Sequence, residues 1–456
     1  MRRAPATGRS GRLPGEETTA RHRVLILGGG FGGLYAAKAL GKAPVDVTLV
    51  DRRNYHLFQP LLYQVATGSL SPGEIAAPLR GVLGRRKNTR VLLGEAADID
   101  PAAGLVTLRD GARIAYDSLV VATGSETSYY GHDAWRDWAP SLKSVEEATA
   151  VRHRILYAFE AAERVVDPKE RRAWLTFAIV GGGTTGLELA GALAEIARRT
   201  LRHDFRSIHP EEADVVLLEG APRILPGYAA DLSAKAALSL ARLGVRVRTN
   251  VRVAGIDRDG VDLACGDGVE RLSAKTVLWA GGITASAFGR TLAARTKSET
   301  DGIGRIRVDP DLSVPNYPDI RVVGDLALAA GPDGRPLPGV AQVAMQQGSY
   351  AAKAIVAHLR GRGNLPPFRY FDRGNMAVIG RAEAVADLFG FHVSGAVAWL
   401  IWLFVHLMSL VGFRSRVLVF IQWGFLYLTF SRGARLITGS APTDLAPEDA
   451  SRRKAA

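Results

Sequence analysis

Two glycine-rich segments carry the residue types and spacing with the clearest chemical meaning in the chain. Both follow the pattern G-x-G-x-x-G, with Gly28, Gly30 and Gly33 in the first segment and Gly181, Gly183 and Gly186 in the second. Glycines at these positions allow a tight turn, a close approach of backbone to a pyrophosphate, and close packing of a helix on a strand. Each segment therefore predicts a phosphate-binding loop.

An acidic residue stands at the end of the apolar run that follows each loop. Asp51 ends "PVDVTLVD", and Glu219 follows "ADVVLL". A carboxylate in this position accepts hydrogen bonds from the ribose hydroxyls of a dinucleotide. At Glu219 it would also repel the extra phosphate of NADPH and favour NADH, although Arg223 could reach such a phosphate. The sequence thus predicts two bound dinucleotides.

A third carboxylate, Glu188, lies two residues after the last glycine of "GGGTTG". At about 100° per residue, Glu188 points about 200° away from Gly186, the glycine that packs on the sheet. A carboxylate near a helix N-terminus contributes about 0.3 to 1 kcal/mol, but here it would weaken the attraction for a pyrophosphate. We therefore predict that Glu188 lies outside the core of its own domain and projects beyond the nucleotide, and that Glu195, two turns later, is only solvated.

The elements around the loops are strands and helices in the order that such loops require. "RVLIL" and "WLTFAIV" are apolar runs that predict a strand before each loop, and "FGGLYAAKAL" and "TTGLELAGALAEIA" predict the helix after it. Two such units predict an α/β protein with two Rossmann-like dinucleotide-binding domains. The alternative is a pair of glycine turns in an α/β fold that binds no dinucleotide.

Composition limits the chemistry further. The chain has 456 residues, 47% of them hydrophobic, and a formal net charge of +13, so it can form two or three domains and favours an anionic surface. Cys265 is the only cysteine, which excludes an intrachain disulfide, a CxxC redox pair and a cysteine-ligated metal or iron–sulfur site. Electron transfer would need an organic cofactor, and we predict no metal. Residues 1–20 and 436–456 are predicted to be disordered tails.

Two more segments, together with the first βαβ unit, resemble the flavin-binding domain of the pyridine nucleotide disulfide oxidoreductase superfamily. They are "YDSLVVATGS" and "DIRVVGDLAL". The resemblance implies an FAD domain, split over residues 21–125 and 281–365, around an inserted NADH domain at 145–280. It implies FAD contacts at Gly28, Gly30, Phe31, Gly32, Gly33, Asp51, Arg52, Ala122, Thr123, Gly124, Gly324, Asp325 and Gln342, and NADH contacts at Gly181, Gly183, Thr185, Gly186, Glu219 and Gly282. An ordinary turn-forming Gly-Asp pair is the alternative for Asp325.

Four longer stretches resemble the type II NADH dehydrogenases, which are single-subunit NADH:quinone oxidoreductases. They are "DRRNYHLFQPLLYQVATG", "WAGGI", "AQVAMQQG" and "FDRGNMAVIGR". The resemblance implies that NADH gives a hydride to FAD and that two electrons then pass to a membrane quinone, without proton pumping. It implies Gln342 and Gln346 at the quinone entrance and Glu188 between nicotinamide, flavin and quinone, as the catalytic residues. The alternative is that Gln346 and Gln347 are the exposed side of a helix.

The C-terminal region, residues 366–435, has a membrane-binding character. Val393–Gly412 has no formal charge and is long enough to span a bilayer, but Val417–Phe430 is too short. We therefore favour two helices in the lipid interface, with Trp399, Trp402, Trp423 and Tyr427 at headgroup depth and arginines on anionic lipid. The alternatives are a buried helix pair and a single span.

The family resemblance also implies a monotopic protein on the cytoplasmic face of the cell membrane and a homodimer. We predict no nucleic-acid partner. Two rival functions remain open from the residues alone: a flavoprotein reductase that serves a protein electron acceptor, and a flavoprotein that senses nucleotides without turnover.

Overall fold

The computed structural model describes residues 21–266, 268–363, 365–429 and 432–438. The predicted tail at 1–20 and the predicted tail beyond residue 438 lie outside the described residues. The strands are β1 (His22–Leu27), β2 (Val45–Asp51), β3 (Tyr55–Leu57), β4 (Ala76–Pro78), β5 (Thr89–Leu93), β6 (Ala96–Asp100), β7 (Leu105–Leu108), β8 (Arg113–Ala115), β9 (Ser118–Val121), β10 (Ser125–Thr127), β11 (Thr176–Val180), β12 (Asp214–Leu218), β13 (Val245–Arg248), β14 (Arg252–Asp257), β15 (Gly260–Cys265), β16 (Gly268–Ser273), β17 (Thr276–Trp279), β18 (Ile283–Ala285), β19 (Ile306–Arg307), β20 (Ser313–Val314), β21 (Tyr317–Val322), β22 (Ala327–Leu328), β23 (Asn375–Gly380), β24 (Glu383–Leu388) and β25 (Phe391–Ser394). The helices are α1 (Phe31–Leu40), α2 (Leu62–Ala66), α3 (Pro72–Ile75), α4 (Leu79–Leu83), α5 (Val145–Arg164), α6 (Pro168–Trp174), α7 (Thr184–Glu195), α8 (Ala230–Arg242), α9 (Ala287–Thr296), α10 (Ala341–Leu359), α11 (Ala396–Ser409) and α12 (Phe413–Thr429).

The first sheet has six strands in the order β20-β21-β9-β1-β2-β5. Its central strands β21, β9, β1, β2 and β5 run parallel. Residues 24–27 of β1 are almost completely buried, as expected for a parallel strand covered on both faces. Strands β20 and β21 come from the chain after residue 312, so segments far apart in sequence share this sheet.

The second sheet has four parallel strands in the order β13-β12-β11-β17, and it is formed from the chain between those segments. A three-stranded antiparallel sheet, β14-β15-β16, leads into its last strand. The antiparallel pair β10 and β18 joins the two parts, with Ser125 opposite Ala285. The predicted α/β class with two Rossmann-like units is confirmed.

A third unit, which the sequence patterns did not reveal, follows α10. Strands β23, β24 and β25 form an antiparallel sheet, and β23 packs directly on α7. The approach is so close that a Cβ atom at Gly191 would lie 1.7 Å from the carbonyl oxygen of Ile379. Only glycine fits at this crossing, and α7 is therefore buried on two sides, by its own sheet and by the C-terminal sheet.

The apolar C-terminal segment is divided into α11 and α12, with a break at Leu410–Gly412 and Gly412 at a φ of +95°. Of the helices in the described part of the chain, none combines the length and apolar character that crossing a bilayer requires. Trp402 and Trp423 are 0% and 1% exposed and belong to the same core as α2, α5 and α7. Their predicted position at headgroup depth is wrong, because each helix has an inner aromatic side that packs on the protein as well as an outer apolar side.

The inner side is held by ring contacts and by one hydrogen bond to the first domain. The rings of Trp402 and Trp423 lie 5.5 Å apart, and those of Trp399 and Tyr427 lie 4.7 Å apart. The Trp423 indole N–H donates to the Gln64 side-chain oxygen at 2.7 Å. The outer side consists of exposed side chains, which are Val397, Leu400, Phe404, Met408, Phe413, Phe420, Ile421, Phe425 and Leu428. We call this set the outer apolar face.

Candidate active site

The two glycine loops have nearly the same geometry. Gly28 and Gly181 adopt φ angles of +99° and +110°, which side chains rarely permit. A Cβ atom at Gly33 would lie 1.8 Å from the Gly28 carbonyl oxygen, and one at Gly186 would lie 1.9 Å from the Gly181 carbonyl oxygen. The tight turn and the close helix–strand contact that the motif requires are therefore both present in each loop.

The space in front of each loop is open. Gly30 and Gly183 are the N-cap residues of α1 and α7, and a Cβ atom at either would meet no atom within 4 Å. The free backbone N–H groups of a helix N-terminus attract an anion, so each loop fits a pyrophosphate. Thr185 lies in the first turn of α7, at the edge of the second opening.

The two acidic residues each support their own loop. The Gly29 N–H donates to Asp51 at 2.5 Å and the Arg53 N–H donates to the same carboxylate at 2.6 Å. Glu219 accepts from the N–H groups of Gly182 at 2.6 Å and Ala221 at 2.7 Å. Burial raises the pKa of Asp51, although its two backbone N–H donors act in the opposite direction. These carboxylates stand beside the loops, where ribose hydroxyls would lie.

Arg223 does not reach into the second nucleotide opening. Its guanidinium donates to the carbonyl oxygens of Leu225, Pro226 and Tyr228, at 3.3, 2.9 and 2.8 Å. From the sequence alone, Arg223 could also contact the 2′-phosphate of NADPH. The structure instead uses it to hold the loop before α8.

The remaining predicted FAD residues line the ends of β9 and β21. Gly124 adopts a φ of +68° and its Cβ position is open, while Thr123 shares a hydrogen bond of 2.7 Å with Ser286. Asp325 accepts from the Ser125 hydroxyl at 2.8 Å. Three further predicted residues lie nearby: Ala122 at the end of β9, Gly324 with a φ of +75°, and Arg52, whose guanidinium lies 3.7 Å from Glu126.

Gln347 is a site residue that the sequence analysis missed. It is 0% exposed, which rules out the alternative that it belongs to the exposed side of a helix. Its side-chain oxygen accepts from the Gly324 N–H at 2.7 Å, and its amide nitrogen has no partner among the described residues. A buried amide donor without a partner is costly, and it fits a bound group with acceptor atoms at this place. In the sequence, Gln347 lies four residues before the small-residue run of α10, and nothing in that pattern indicates that its side chain is buried.

Helix α10 places the other glutamines. A Cβ atom at Gly348 would lie 2.0 Å from the carbonyl oxygen of Gly32, so α10 crosses α1 at van der Waals contact. Gln342 donates to the Gly374 carbonyl at 3.0 Å, and its own side-chain oxygen is buried without a partner in the described chain. Both amide atoms of Gln346 bond the backbone of Phe371, at 2.9 and 3.0 Å. Gln342 thus has a free acceptor, whereas Gln346 fixes the segment before β23.

A row of aromatic rings connects the first loop to α11. Phe31 lies edge-on to His56 at 5.0 Å and to Phe58 at 5.8 Å, and Phe58 lies 6.2 Å from His406. His56 bonds the Gly29 carbonyl through Nδ1 at 3.0 Å, so Nδ1 carries the hydrogen and the buried Nε2 is an acceptor. Burial lowers the pKa of His56 to about 4. We call this row of rings, which runs from the first glycine loop to α11, the aromatic wall.

Glu188 lies at the contact of α7 with the C-terminal sheet. It is 8% exposed, and burial raises its pKa well above the usual range, although a hydrogen bond with the Val378 backbone acts the other way. Glu188 was predicted to lie outside the core of its own domain, and it lies on the side of α7 that the C-terminal sheet covers, so it is buried there rather than projecting into open space. Glu195 is not merely solvated either, since it accepts from the Arg381 N–H at 2.7 Å and from Arg432 at 3.2 Å.

Two dinucleotide loops on two parallel sheets, one fitting FAD and one fitting a nicotinamide nucleotide, define an oxidoreductase of the two-dinucleotide class. Gly282, which carries a φ of +78° at the end of the second sheet, lies beside the Tyr130 ring at the junction of the two parts. The comparisons with known proteins agree with this class. The family model of the pyridine nucleotide-disulphide oxidoreductases matches residues 22–348, and that of the NDH2 C-terminal domain matches residues 373–432.

The chain belongs to the type II NADH:quinone oxidoreductases. It is 46% identical over 435 residues to the type II NADH:quinone oxidoreductase Ndh of Mycobacterium tuberculosis, covering 93% of both chains. It is 45% identical to NdhA of the same organism, over 92% of this chain and 90% of that one. A solved structure of NDH2 from Plasmodium falciparum, in complex with RYL-552, shares the fold with a TM-score of 0.84 at 20% identity, over 92% of this chain and 100% of that one.

Proposed function

We propose that the protein oxidises NADH and reduces a membrane quinone through bound FAD, without pumping protons. The observation that carries the proposal is the completeness of both dinucleotide loops, each with its own supporting carboxylate, beside a C-terminal unit with an outer apolar face. When bound, FAD accepts a hydride from NADH and gives two electrons to a quinone. The family relationship supports the same reaction.

The chain's own residues hold and orient the reactants. The loop with Gly28, Gly30 and Gly33 would hold the FAD pyrophosphate, and Gln347 would donate its unpaired amide to the flavin side of the site. Glu219 would accept hydrogen bonds from the ribose hydroxyls of NADH. Gln342, with a buried free acceptor oxygen, would stand on the quinone side together with Glu188.

The quinone would approach along the row of rings from α11 to Phe31. This wall would exclude water from the quinone ring. The neutral Nδ1–H tautomer of His56 adds no charge to the wall. Uncharged amides and aromatic rings suit a ligand with two carbonyls on an apolar ring.

The direct test mixes purified FAD-loaded protein with NADH and a short-chain quinone and follows the loss of nicotinamide absorbance. We expect turnover with the quinone. Oxidation only with a ferredoxin-type or rubredoxin-type protein acceptor would replace the proposal by a protein-linked reductase, and turnover with neither acceptor would favour nucleotide sensing.

We also propose that NADH is preferred over NADPH because of Glu219. Replacing Glu219 with glutamine removes the charge but keeps one acceptor for the loop N–H groups, and Arg223 stays engaged with backbone carbonyls. The ratio of kcat/KM for NADH to that for NADPH should fall by about tenfold or more, because repulsion of like charges is lost. Steady-state rates with both nucleotides measure it, with Glu212→Gln, an exposed glutamate of the same domain, as control. An unchanged ratio would show that Glu219 does not select the nucleotide.

We further propose that the outer apolar face docks on the surface of the cell membrane, on its cytoplasmic side. Exposed apolar residues recur at helical spacing along α11, and the exposed Arg414 at the start of α12 suits anionic lipid. The face adjoins the aromatic wall, so it would admit a quinone from the lipid phase. The homodimer stays a prediction, which sedimentation of the purified protein tests.

A further inference from the structure

A small cavity with several polar groups in its lining adjoins Glu188, on the side of α7 that faces the C-terminal sheet. Its volume is about 40 Å³, and its polar lining includes Tyr63, Glu188, Glu195 and Arg432. About 10 to 15 Å³ of such volume accommodates one water molecule, so the cavity has room for about two or three. Because several polar groups line it, water in this space would have hydrogen-bond partners.

Two carboxyl groups line the cavity. Glu188 is the more buried of them, at 8% exposure, whereas 19% of the Glu195 side chain is exposed. The residues are seven apart on one helix, which places them on the same side and about 10 Å apart along the axis. Two or three water molecules and one hydroxyl are enough to connect groups at that separation.

Tyr63 lines the same cavity as the two carboxyl groups. It is buried, and both Glu188 and Glu195 act on it electrostatically. The Gln64 amide donates to its oxygen at 2.9 Å, while the Gln64 carbonyl is held by the Trp423 indole. The Tyr63 oxygen accepts this hydrogen bond from Gln64, so the hydroxyl hydrogen of Tyr63 can donate into the cavity.

The Glu195 carboxylate is held by hydrogen bonds to both of its oxygens. Arg432 donates to Glu195 at 3.2 Å and, with its other terminal nitrogen, to the Ser69 hydroxyl at 2.5 Å and to Thr67. The backbone N–H of Arg381 donates to the second oxygen of Glu195 at 2.7 Å. These contacts fix a partly exposed carboxylate in contact with both solvent and the cavity.

The tyrosines around the cavity keep their own hydrogen at neutral pH, so none of them is the source of the proton. Burial raises the pKa of Tyr63 on α2, of Tyr427 on α12 and of Tyr228 before α8, so all three stay protonated. Arg432 and Arg381 are cations, and Asp387 on β24 acts on Tyr228 rather than lining the cavity. Glu188 and Glu195 are the carboxyl groups that line the cavity.

The reaction itself needs a proton from solvent. NADH, one proton and a quinone give NAD⁺ and a hydroquinone: the hydride brings two electrons and one proton, and the second hydroxyl hydrogen comes from water. We propose that Glu195 is the entry point for this proton and that water in the cavity, with Tyr63, passes it to Glu188. This inference rests on the proposed function, in which Glu188 stands beside the reacting groups.

The test follows the Glu188 carboxyl itself, in the oxidised FAD-loaded protein without NADH or quinone. Infrared spectra should contain a band from a protonated carboxyl, and the Glu188→Gln variant should identify it by losing it. After transfer to heavy water, hydrogen exchange of this band should slow by about tenfold or more in Glu195→Gln, because one carboxyl link is removed from the path. Glu160→Gln, an exposed glutamate on α5, should exchange like the unmodified protein.

Two further measurements separate a proton path from a structural role. Quinone reduction by Glu195→Gln should slow with an increased solvent isotope effect, while Glu195→Asp, which keeps the carboxyl, should restore most of the exchange rate. If Glu195→Gln does not fold with FAD, Tyr63→Phe removes the intermediate hydroxyl and should slow exchange as well. Unchanged exchange in a folded Glu195→Gln or Tyr63→Phe protein, or no carboxyl band lost in Glu188→Gln, would overturn the proposal. If Glu195→Gln slows the exchange but the unmodified protein never reduces quinone, only the proposed function is refuted.

Discussion

Glu188→Gln should bind FAD normally but reduce quinone about 100-fold more slowly, within the range that loss of a proton-transferring group produces. FAD binding should survive because the loop with Gly28 lies on a different sheet from α7. The amide is nearly the same size as the protonated carboxyl, so the contact of α7 with β23 is kept. Flavin content and kcat with a short-chain quinone measure the two effects.

The pH dependence follows from the direction of the Glu188 pKa shift. Burial raises this pKa well above the usual range, so the carboxyl keeps its proton to a higher pH than an exposed glutamate does. Activity of the unmodified protein should be present below the raised pKa and be lost as pH rises through it, whereas the glutamine variant should show no such step. An equal kcat in both proteins at every pH would refute a proton role for Glu188.

The same shift has a consequence for stability. Between the ordinary pKa of a glutamate and the raised one, the folded protein binds a proton that the unfolded chain has released. The free energy of unfolding of the unmodified protein should therefore fall as pH rises through this window. Glu188→Gln should lack this decline, and thermal unfolding in a series of buffers shows it, with Glu160→Gln as the matched carboxylate control.

The double substitution Leu400→Glu and Phe404→Glu should release the protein from membranes. These side chains are 57% and 63% exposed on the outer apolar face, so they contribute little to the folded core. If lipid buries them, each contributes about 1.5 to 3 kcal/mol, and their loss should weaken partition into vesicles by about 100-fold or more. Cosedimentation with vesicles that contain anionic lipid measures this partition.

Leu238→Glu provides the matched control. Leu238 is 60% exposed on α8, in the second nucleotide unit, and its substitution should leave vesicle binding unchanged. Reduction of a water-soluble acceptor by NADH should be preserved in both variants. Full membrane binding by the double variant would refute the assignment of this face.

A truncation before α11 would not give the same information. The sequence alone suggests that removal of the C-terminal segment leaves a soluble flavoprotein, because the segment looks like a separate anchor. The structure shows that such a truncation would also remove Trp402 and Trp423 from the main core. Loss of two fully buried tryptophans costs several kcal/mol, so surface substitutions are the sharper experiment.

The parts of the site that the sequence predicts are those defined by local spacing. The glycine loops and the acids Asp51 and Glu219 are recognisable because each strand, turn and helix is contained in one continuous segment. The pattern also locates Glu188, but not its surroundings, since the helical periodicity of α7 shows one buried face and Gly191 gives no sign that a second strand crosses there.

The missing parts depend on contacts between distant segments. Gln347 is buried because α10 crosses α1 at Gly348, and nothing in the surrounding residues marks the crossing. The C-terminal sheet was missed because its strands adjoin a strongly apolar segment that dominates the pattern. In the sequence, Arg432 is one more basic residue of the predicted membrane-binding region, and only the fold shows that Thr67, Ser69 and Glu195 surround it.

The bond between Trp423 and Gln64 also orders events during synthesis. Its partners are 359 residues apart, and Arg432 and Thr67 are 365 apart, so the core around α2 lacks its final side chains until the chain is nearly complete. At about 5 to 20 residues per second, a ribosome needs roughly 20 to 70 seconds to cover that separation. During this delay the Gln64 side-chain oxygen and Thr67 lack these partners. Of the described helices, α12 leaves the ribosome last, and it both brings Trp423 to the core and carries part of the outer apolar face.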